Sequence, residues 1–393
     1  MENLTIENVK ILYGEDLTPI DRGYLMIRDG FIHEVGRGKP PGKGFRIDGK
    51  GLTVLPGLVN AHVHLGDSAA KELALGLSLE EAVAPPEGFK HRFLREAERR
   101  FLVDSMRKTA SDMLASGVVC FADFREGGIE GLNLALKALE GLKIEALLLG
   151  RPAYHLKGDA FRREVEELAL KASGLGVGSL SSYSDRELEL MAEIFRDKPI
   201  GVHVAEAPGL KSSEVERALN HLKPSFMVHL VHAAEWELKL AAEAGVGVAV
   251  CPRSNASFGL GLPDLRSMLN SGLKVALGTD NVMVCQPDMF REMEFASRSW
   301  RLFYRDPAFP PPFLIFKMAT QWAAEVLGLR RLGVVKEGWK ASLILVDLEA
   351  ANVAPVHNLM AAIVHRVRAE NVMLTLVGGE IAFSRLPLGE WKA

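Results

Sequence analysis

The pattern of apolar and polar positions changes character twice along the chain. Residues 3–53 contain short strand-like stretches, and Asp29-Gly30 lies between two of them as a pair suited to a tight hairpin turn. From about residue 54, apolar runs alternate with amphipathic segments such as 96–116 and 161–172. After about residue 330 the short strand-like runs return. This order predicts β structure at both ends of the chain, with alternating strands and helices between them.

The central segment contains eight apolar runs of strand length. Strands that alternate with helices are typical of a parallel sheet with crossover helices, and eight such units favour a closed barrel. We therefore predict an α/β chain with a (β/α)8 TIM-like barrel at 54–330. We also predict a small composite β-sandwich domain, formed by 1–53 together with 331–393. The eight runs cover 58–65, 118–124, 144–152, 177–184, 200–206, 226–233, 246–252 and 274–280.

Composition narrows the class of partner. The net charge of −3 shows no basic excess, which argues against nucleic acid and anionic membranes as partners. The three cysteines lie far apart and form no Cys-x-x-Cys pair, which is typical of a reducing compartment. No leader-like N-terminal segment or bilayer-length apolar stretch is present in the sequence. We expect a cytoplasmic protein that acts on a small molecule, with homo-oligomerisation left open, and the scarcity of glutamine hints at a thermophile.

The most informative stretch for chemistry runs from Leu55 to Asp67. It contains His62 and His64, two residues apart at the end of an apolar run. Side chains alternate along a strand, so both imidazoles point to the same side. Barrel enzymes carry their chemistry at strand ends, and the pair therefore predicts a metal site.

Other predicted strands deliver polar groups to the same rim. The fifth run ends with His203 and Glu206, the sixth contains His229, and the eighth ends at Asp280. Imidazole and carboxylate are ligands that suit zinc or iron. Several such groups at the ends of different strands indicate one metal-dependent site.

In combination, these motifs resemble those of the amidohydrolase superfamily, in its cytosine-deaminase/chlorohydrolase-like branch. The resemblance spans nearly the whole chain. Its carriers are Pro56-Gly-Leu-Val-Asn-Ala-His-Val-His64, His203-Val-Ala-Glu206, Val228-His-Leu-Val-His232, Cys251-Pro-Arg-Ser-Asn255, Leu277-Gly-Thr-Asp280 and Gly333-Val-Val-Lys-Glu-Gly-Trp-Lys-Ala341.

The resemblance implies one divalent metal ion, zinc with iron as the alternative, and a metal-bound hydroxide as nucleophile. The implied catalytic groups are Asp280, which takes the proton of the water, Glu206, which passes protons to the substrate, and His229, which stabilises the developing oxyanion. The implied metal ligands are His62, His64, His203 and Asp280.

Two departures from the branch bear on the substrate, and a third feature bears on the metal count. Deaminases of adenosine-like or guanine-like substrates read His-Ala-Pro-Tyr where this chain has Leu180-Ser-Ser-Tyr183. The loop 66–92 also lacks their tryptophan-containing segment, so an adenosine-type substrate is not expected. The fourth strand ends without a lysine, which argues against the binuclear branch and for a single metal.

Arginines near the predicted rim suggest an anionic substrate. Arg125, Arg151 and Arg253 follow or lie in the second, third and seventh runs, with Tyr154 close to Arg151 in sequence. A guanidinium group can bind carboxylate or phosphate in bidentate fashion. We thus predict substrate-binding roles for these four residues.

The predicted function is a mononuclear metal-dependent aminohydrolase of an amino-substituted heterocycle that bears an anionic group. This makes the chain a hydrolase acting on carbon–nitrogen bonds other than peptide bonds. One alternative is a cyclic-amide hydrolase, or a chlorohydrolase or alkylamine-displacing hydrolase, of the same superfamily. A catalytically inactive scaffold is the other alternative, although all six expected positions carry competent residues.

Overall fold

Two large β-sheets organise the chain. The structure, a computed structural model, describes residues 4–41, 44–154, 156–208 and 213–386, and the backbone of 391–392. The strands are β1 Leu4–Tyr13, β2 Thr18–Arg28, β3 Phe31–Arg37, β4 Phe45–Asp48, β5 Thr53–Pro56, β6 Leu58–His64, β7 Val118–Arg125, β8 Glu145–Gly150, β9 Gly174–Val177, β10 Ile200–Val204, β11 Phe226–His229, β12 Gly247–Val250, β13 Val275–Leu277, β14 Asp280–Asn281, β15 Leu343–Val346, β16 Val372–Val377, β17 Glu380–Ser384 and β18 Trp391–Lys392.

Helices separate most strands of the central segment. The two amphipathic segments predicted at 96–116 and 161–172 are helices within three residues of those bounds. The α-helices are α1 Leu79–Val83, α2 Phe89–Glu96, α3 Arg99–Ala115, α4 Gly128–Leu139, α5 Gly158–Lys171, α6 Asp185–Ile194, α7 Glu214–Arg217, α8 Glu235–Glu243, α9 Pro252–Ser257, α10 Leu265–Asn270, α11 Met289–Tyr304, α12 Pro312–Met318, α13 Gln321–Val326 and α14 Leu359–Arg366.

Local sequence explains why these segments are helical. Helix α6 begins with a capping box, in which the backbone N–H of Glu187 donates to Ser184 Oγ and that of Ser184 donates to Glu187 Oε2. Helix α3 buries residues at three- and four-residue spacing, among them Leu102, Met106 and Met113. This apolar face packs into the large core around the parallel sheet.

The central sheet is parallel and curled. Its order is β13-β12-β11-β10-β9-β8-β7-β6-β14, and every neighbouring pair is parallel. Strand β13 lies at one end of this order and β14 at the other, although only Gly278 and Thr279 separate them in the chain. The sheet must therefore curl back towards its first strand, as expected for a barrel-like α/β architecture.

The terminal segments share a second sheet. Its main path is β17-β16-β15-β5-β1-β2-β3, and β4 pairs with both β1 and β18. Strand β5 joins the two chain ends because it pairs with β1 on one side and β15 on the other. The chain ends thus associate as predicted, but a sandwich of two stacked sheets is not confirmed, and the boundaries at 54 and 330 stay predictions.

One strand was predicted in the wrong place. The fourth strand is β9, Gly174–Val177, whereas 177–184 was predicted and contains a 3-10 turn at Leu180–Ser182. Glycines weaken a strand pattern in a sequence. Here glycine is required, because a Cβ at Gly174 would lie 2.2 Å from the Pro199 carbonyl oxygen.

Within the described ranges, no helix combines the length and the apolar character that crossing a bilayer requires.

Candidate active site

The register of the parallel sheet brings the predicted rim residues together. His62 and His64 lie on one face of β6, and their ring centroids are 4.9 Å apart. Strand β10 pairs His203 with Val228 and Val204 with His229 of β11, which places the two histidines side by side. Asp280 of β14 pairs with Val63 of β6 and so reaches the same point from the other end of the sheet.

The side-chain donors converge on a small volume. His62 Nε2 lies 3.2 Å and His64 Nε2 3.3 Å from Asp280 Oδ1, and His64 Nε2 lies 3.3 Å from His203 Nε2. One ligand atom from each of His62, His203, His229 and Asp280 lies within 4.8 Å of the others. Imidazole nitrogen and carboxylate oxygen in this number suit a divalent metal ion. The buried His229 Nε2 has no hydrogen-bond partner among the described residues, and Glu206 Oε1 lies 3.5 Å from it.

Backbone strain accompanies this arrangement. His229 and Asp280 have φ values of 78° and 58°, and Ala205, next to Glu206, has 51°. Residues other than glycine seldom adopt this left-handed region, and they persist there where the surrounding structure holds them. The strands thus end in conformations that turn these side chains towards the common centre.

Each of three imidazole rings is held from behind. His203 Nδ1 lies 2.9 Å from the Val177 carbonyl oxygen, and His229 Nδ1 lies 3.1 Å from Asn255 Oδ1. His64 Nδ1 lies 2.7 Å from Glu126 Oε1. A proton on Nδ1 leaves Nε2 unprotonated, and Nε2 is the atom that faces the centre.

Burial and neighbouring charges shift the ionisation of these groups. Burial lowers the pKa of His62 to about 3, so that the imidazole is neutral at neutral pH. Burial opposes ionisation of Asp280, yet hydrogen bonds with His62 and His64 outweigh it and hold its pKa well below the usual range. Burial raises the pKa of Glu206, although His229 opposes the shift. Burial and Lys90 lower the pKa of His64, but Glu126 and Asp280 outweigh them and raise it to about 9. The centre therefore combines a neutral imidazole at His62, a carboxylate at Asp280 and a carboxyl group at Glu206 that retains its proton more readily.

A cavity of about 390 Å³ opens beside these groups. Glu206 lines it with a side chain that is 19% exposed, and Asp280, His64 and His203 line its floor. Of the predicted substrate-binding residues, Arg151 and Tyr154 line it. Ser179, Ser181 and Ser182 also line it, next to Leu180, the position at which related deaminases are expected to carry a histidine.

The other two predicted substrate-binding arginines lie elsewhere. Arg125 borders a neighbouring cavity of about 720 Å³, which it shares with Arg151 and Tyr154. Arg253 borders a separate surface hollow next to α11, and its Nη1 donates to the Gln286 carbonyl oxygen at 2.9 Å. Arg253 is not among the residues that line the cavity beside the metal-binding group, and its contact with a substrate stays a prediction.

Sequence reasoning missed a buried charge network behind the site. Glu126 is its hub: Oε1 lies 2.5 Å from Lys90 Nζ and 2.8 Å from Arg151 Nη1, and Oε2 lies 2.7 Å from Arg125 Nη2. Asp67 adds a contact of 2.9 Å to Lys90, and Asp123 adds one of 3.4 Å to Arg125. Three acids therefore balance three bases in the interior, as buried charges require.

Comparisons with known proteins identify the family of this chain. The model of the amidohydrolase family matches residues 53–382. A protein of Methanothermobacter thermautotrophicus, provisionally named an aminohydrolase, is 36% identical over 97% of this chain and 99% of its own length. The 5-methylthioadenosine/S-adenosylhomocysteine deaminase of Pyrococcus furiosus is 27% identical over 96% of this chain and 94% of its own.

A solved structure has the same fold. The zinc-bound adenosine deaminase of Xanthomonas campestris superimposes with a TM-score of 0.82 over 97% of this chain and 93% of its own, at 20% identity. The match of the family model covers most of the chain, and the metal-binding group lies within it. The chain therefore belongs to the amidohydrolase family and is a hydrolase that acts on carbon–nitrogen bonds.

Proposed function

We propose that the protein is a mononuclear metal-dependent aminohydrolase that releases ammonia from an amino-substituted heterocycle bearing an anionic group. The observation that carries the proposal is the convergence of the His62, His64 and His203 imidazoles on Asp280, next to a cavity that Glu206 lines. The relatives named as an aminohydrolase and as a deaminase support ammonia release as the reaction.

The proposed ligands are His62, His64, His203 and Asp280, which would hold one zinc or iron(II) ion. The group of four whose ligand atoms all lie within 4.8 Å contains His229 in place of His64, but His64 Nε2 lies 3.3 Å from both Asp280 Oδ1 and His203 Nε2 and so faces the same centre. When bound, the ion supplies Lewis acidity and lowers the pKa of a water in its open coordination position. Asp280 has a second oxygen, Oδ2, that accepts a hydrogen bond from Ser254 Oγ at 2.5 Å. This bond fixes the carboxylate, so that it is oriented both to hold the ion and to accept the proton of the attacking water.

Glu206 is the proposed carrier of protons to the substrate. Its Oε1 lies 3.5 Å from His229 Nε2, and Glu206 lines the cavity while His229 is buried behind it. Protonation of a ring nitrogen makes the adjacent carbon electrophilic, and protonation of the amino group makes it a competent leaving group. His229, held through its Nδ1 by Asn255, is positioned to stabilise negative charge that develops at the attacked carbon.

The walls of the cavity suggest the chemistry of the substrate. A volume of about 390 Å³ accommodates a heterocycle with a substituent. Lys90 and Arg151 place cationic groups at the wall, both of them also paired with Glu126. Tyr154 offers a ring, and the serines offer hydroxyl groups. We propose that the anionic substituent lies against Arg151, whose Nε is buried without a hydrogen-bond partner among the described residues.

The test is ammonia release from a panel of aminopurines, aminopyrimidines and amino-triazines, each offered with and without a carboxylate or phosphate substituent. We expect turnover by the metal-loaded protein on anionic members, and its loss in Glu206→Gln at unchanged metal content. Glu193→Gln, an exposed substitution on α6, is the matched control and should retain turnover. Release of halide or alkylamine, or ring opening, would favour the alternative hydrolases, and no reaction at full metal content would favour a scaffold.

A further inference from the structure

His64 differs from the other histidines of the centre in what lies behind its ring. The acceptors behind His203 and His229 are neutral, a backbone carbonyl and an amide oxygen. Behind His64 is the carboxylate of Glu126, 2.7 Å from Nδ1. A carboxylate behind a ligating imidazole fixes its orientation and increases its basicity, which strengthens its bond to a metal.

A backbone oxygen also lies near the His64 ring and is hydrogen-bonded to it. The carbonyl oxygen of Phe124 lies 3.2 Å from the same Nδ1, which is 0.5 Å farther than Glu126 Oε1 (3.2 against 2.7 Å). Asp123 does not compete, because its Oδ1 accepts from the backbone N–H of Leu65 and its Oδ2 faces Arg125. The Phe124 carbonyl oxygen is therefore the hydrogen-bond acceptor for Nδ1, and Glu126 Oε1, at 2.7 Å, is the one carboxylate of the three in the buried network that contacts the His64 ring from behind.

The position of Glu126 is itself well defined. Its side chain is buried, and three cations surround it: Lys90, Arg125 and Arg151. Two of these, Lys90 and Arg151, also line the cavity beside the metal-binding group, whereas Glu126 borders the neighbouring cavity. The same carboxylate thus connects His64 to the two basic residues of the substrate wall.

We infer that Glu126 is a positioning residue that orients His64 as a metal ligand. The same carboxylate contacts Lys90 and Arg151, the two basic residues that line the cavity. The inference rests on the proposed metal site and adds to it a residue outside the ligand set. It predicts that loss of the Glu126 carboxylate weakens metal binding even though every ligand is still present.

The test compares metal affinity in the full-length parent and in Glu126→Gln, by competition with a chelator for zinc and by the visible absorption of the cobalt(II) form. The substitution keeps the size of the side chain and removes its charge. We expect roughly 10- to 100-fold weaker zinc binding and an altered cobalt(II) spectrum. Neither measurement depends on knowing the substrate.

Arg151→Met is the matched control, because it changes the same network but leaves the Glu126–His64 contact intact. It should bind zinc as the parent does. Glu126→Gln alone leaves the buried Arg151 without its carboxylate partner and could impair folding for that reason. The double substitution Glu126→Gln/Arg151→Met removes both charges of the pair and so conserves the net charge. The double variant should fold and bind zinc as weakly as Glu126→Gln.

The outcomes separate this inference from the proposed function. Parent-like zinc affinity and cobalt(II) spectrum in Glu126→Gln, or in the folded double variant, would overturn the positioning role and leave the proposed function standing. Equal weakening in Arg151→Met would also overturn it, since the effect would then come from the network as a whole. A parent protein that binds neither zinc nor cobalt(II) would overturn the proposed function itself.

Discussion

Asn60 and Thr279 join the two ends of the parallel sheet through a reciprocal pair of hydrogen bonds. Asn60 Nδ2 donates to Thr279 Oγ1 at 2.7 Å, and the backbone N–H of Thr279 donates to Asn60 Oδ1 at 3.1 Å. Both side chains are buried. Because Thr279 immediately precedes Asp280, this pair fixes where the Asp280 carboxylate meets the histidines of β6.

Thr279→Val should therefore destabilise the protein and weaken metal binding together. The substitution removes the hydroxyl acceptor and leaves the Asn60 amide buried without it, which costs about 1–3 kcal/mol. Urea unfolding and zinc competition measure the two effects. The matched control is Thr109→Val on α3, where the buried hydroxyl has no hydrogen-bond partner among the described residues. If both variants unfold at the same urea concentration, the Asn60–Thr279 hydrogen bonds do not stabilise the protein.

The rim residues and the buried network differ in how far sequence could predict them. His62 and His64 were predictable because the two-residue period of a strand and the flanking Pro-Gly and Gly-Asp pairs are local signals. Asp280 was predictable because parallel strands end on one rim. The contact of Glu126 with His64 depends on the register of β6 against β7 and on ring rotation, neither of which a sequence contains. The one available signal was an acid directly after the second strand.

Strand β9 shows a different limit of sequence reasoning. Its glycines are needed where Pro199 and Leu149 approach the backbone, so packing, and not apolar periodicity, selects the residues.

The arginines show a third limit. Arg125, Arg151 and Arg253 occupy equivalent places in the pattern, yet of these three only Arg151 lines the cavity beside the metal-binding group. Arg125 and Arg151 even pair with the same carboxylate, Glu126, so neither the pattern nor the pairing acid predicts which arginine reaches the cavity.

Glu292→Gln should raise stability above neutral pH and change it little in acid. Burial raises the pKa of Glu292 to about 7, although Arg253 opposes the shift. The pKa of Glu292 is higher in the folded than in the unfolded protein, so its ionisation destabilises the folded parent protein. This loss of stability is absent below about pH 4.5, grows as the pH rises to about 7 and is constant above that. The gain at pH 8 should approach about 3 kcal/mol at most. Urea unfolding of both proteins at pH 5 and pH 8 tests this, and an equal stability difference at the two pH values would contradict it.

Arg151→Met should impair turnover selectively on anionic substrates. Glu126 keeps Lys90 and Arg125 as partners, so the fold should persist while the charge beside the cavity is lost. Loss of a buried charge-assisted contact costs roughly 1.5–3 kcal/mol, or about 10- to 150-fold in kcat/KM. A neutral analogue of the same heterocycle is the control substrate. An equal fall on both substrates, or no fall on either, would remove Arg151 from substrate recognition.

Chelation of the metal should abolish activity without unfolding the protein. The apolar core around the parallel sheet is extensive, and the metal-binding group occupies only the ends of its strands. A core of this size does not need an ion in order to fold. Circular dichroism before and after mild chelation measures the helical content. Loss of the helical signal would mean that the ion is structural.

The most direct measurement is a titration of the metal-free protein with zinc, and in parallel with iron(II) under anaerobic conditions, while ammonia release is followed on the best substrate of the panel. A mononuclear aminohydrolase predicts activity that rises linearly with added metal and reaches its plateau at one ion per chain. Activity that is independent of added metal, or that reaches its plateau only at two ions per chain, would contradict it.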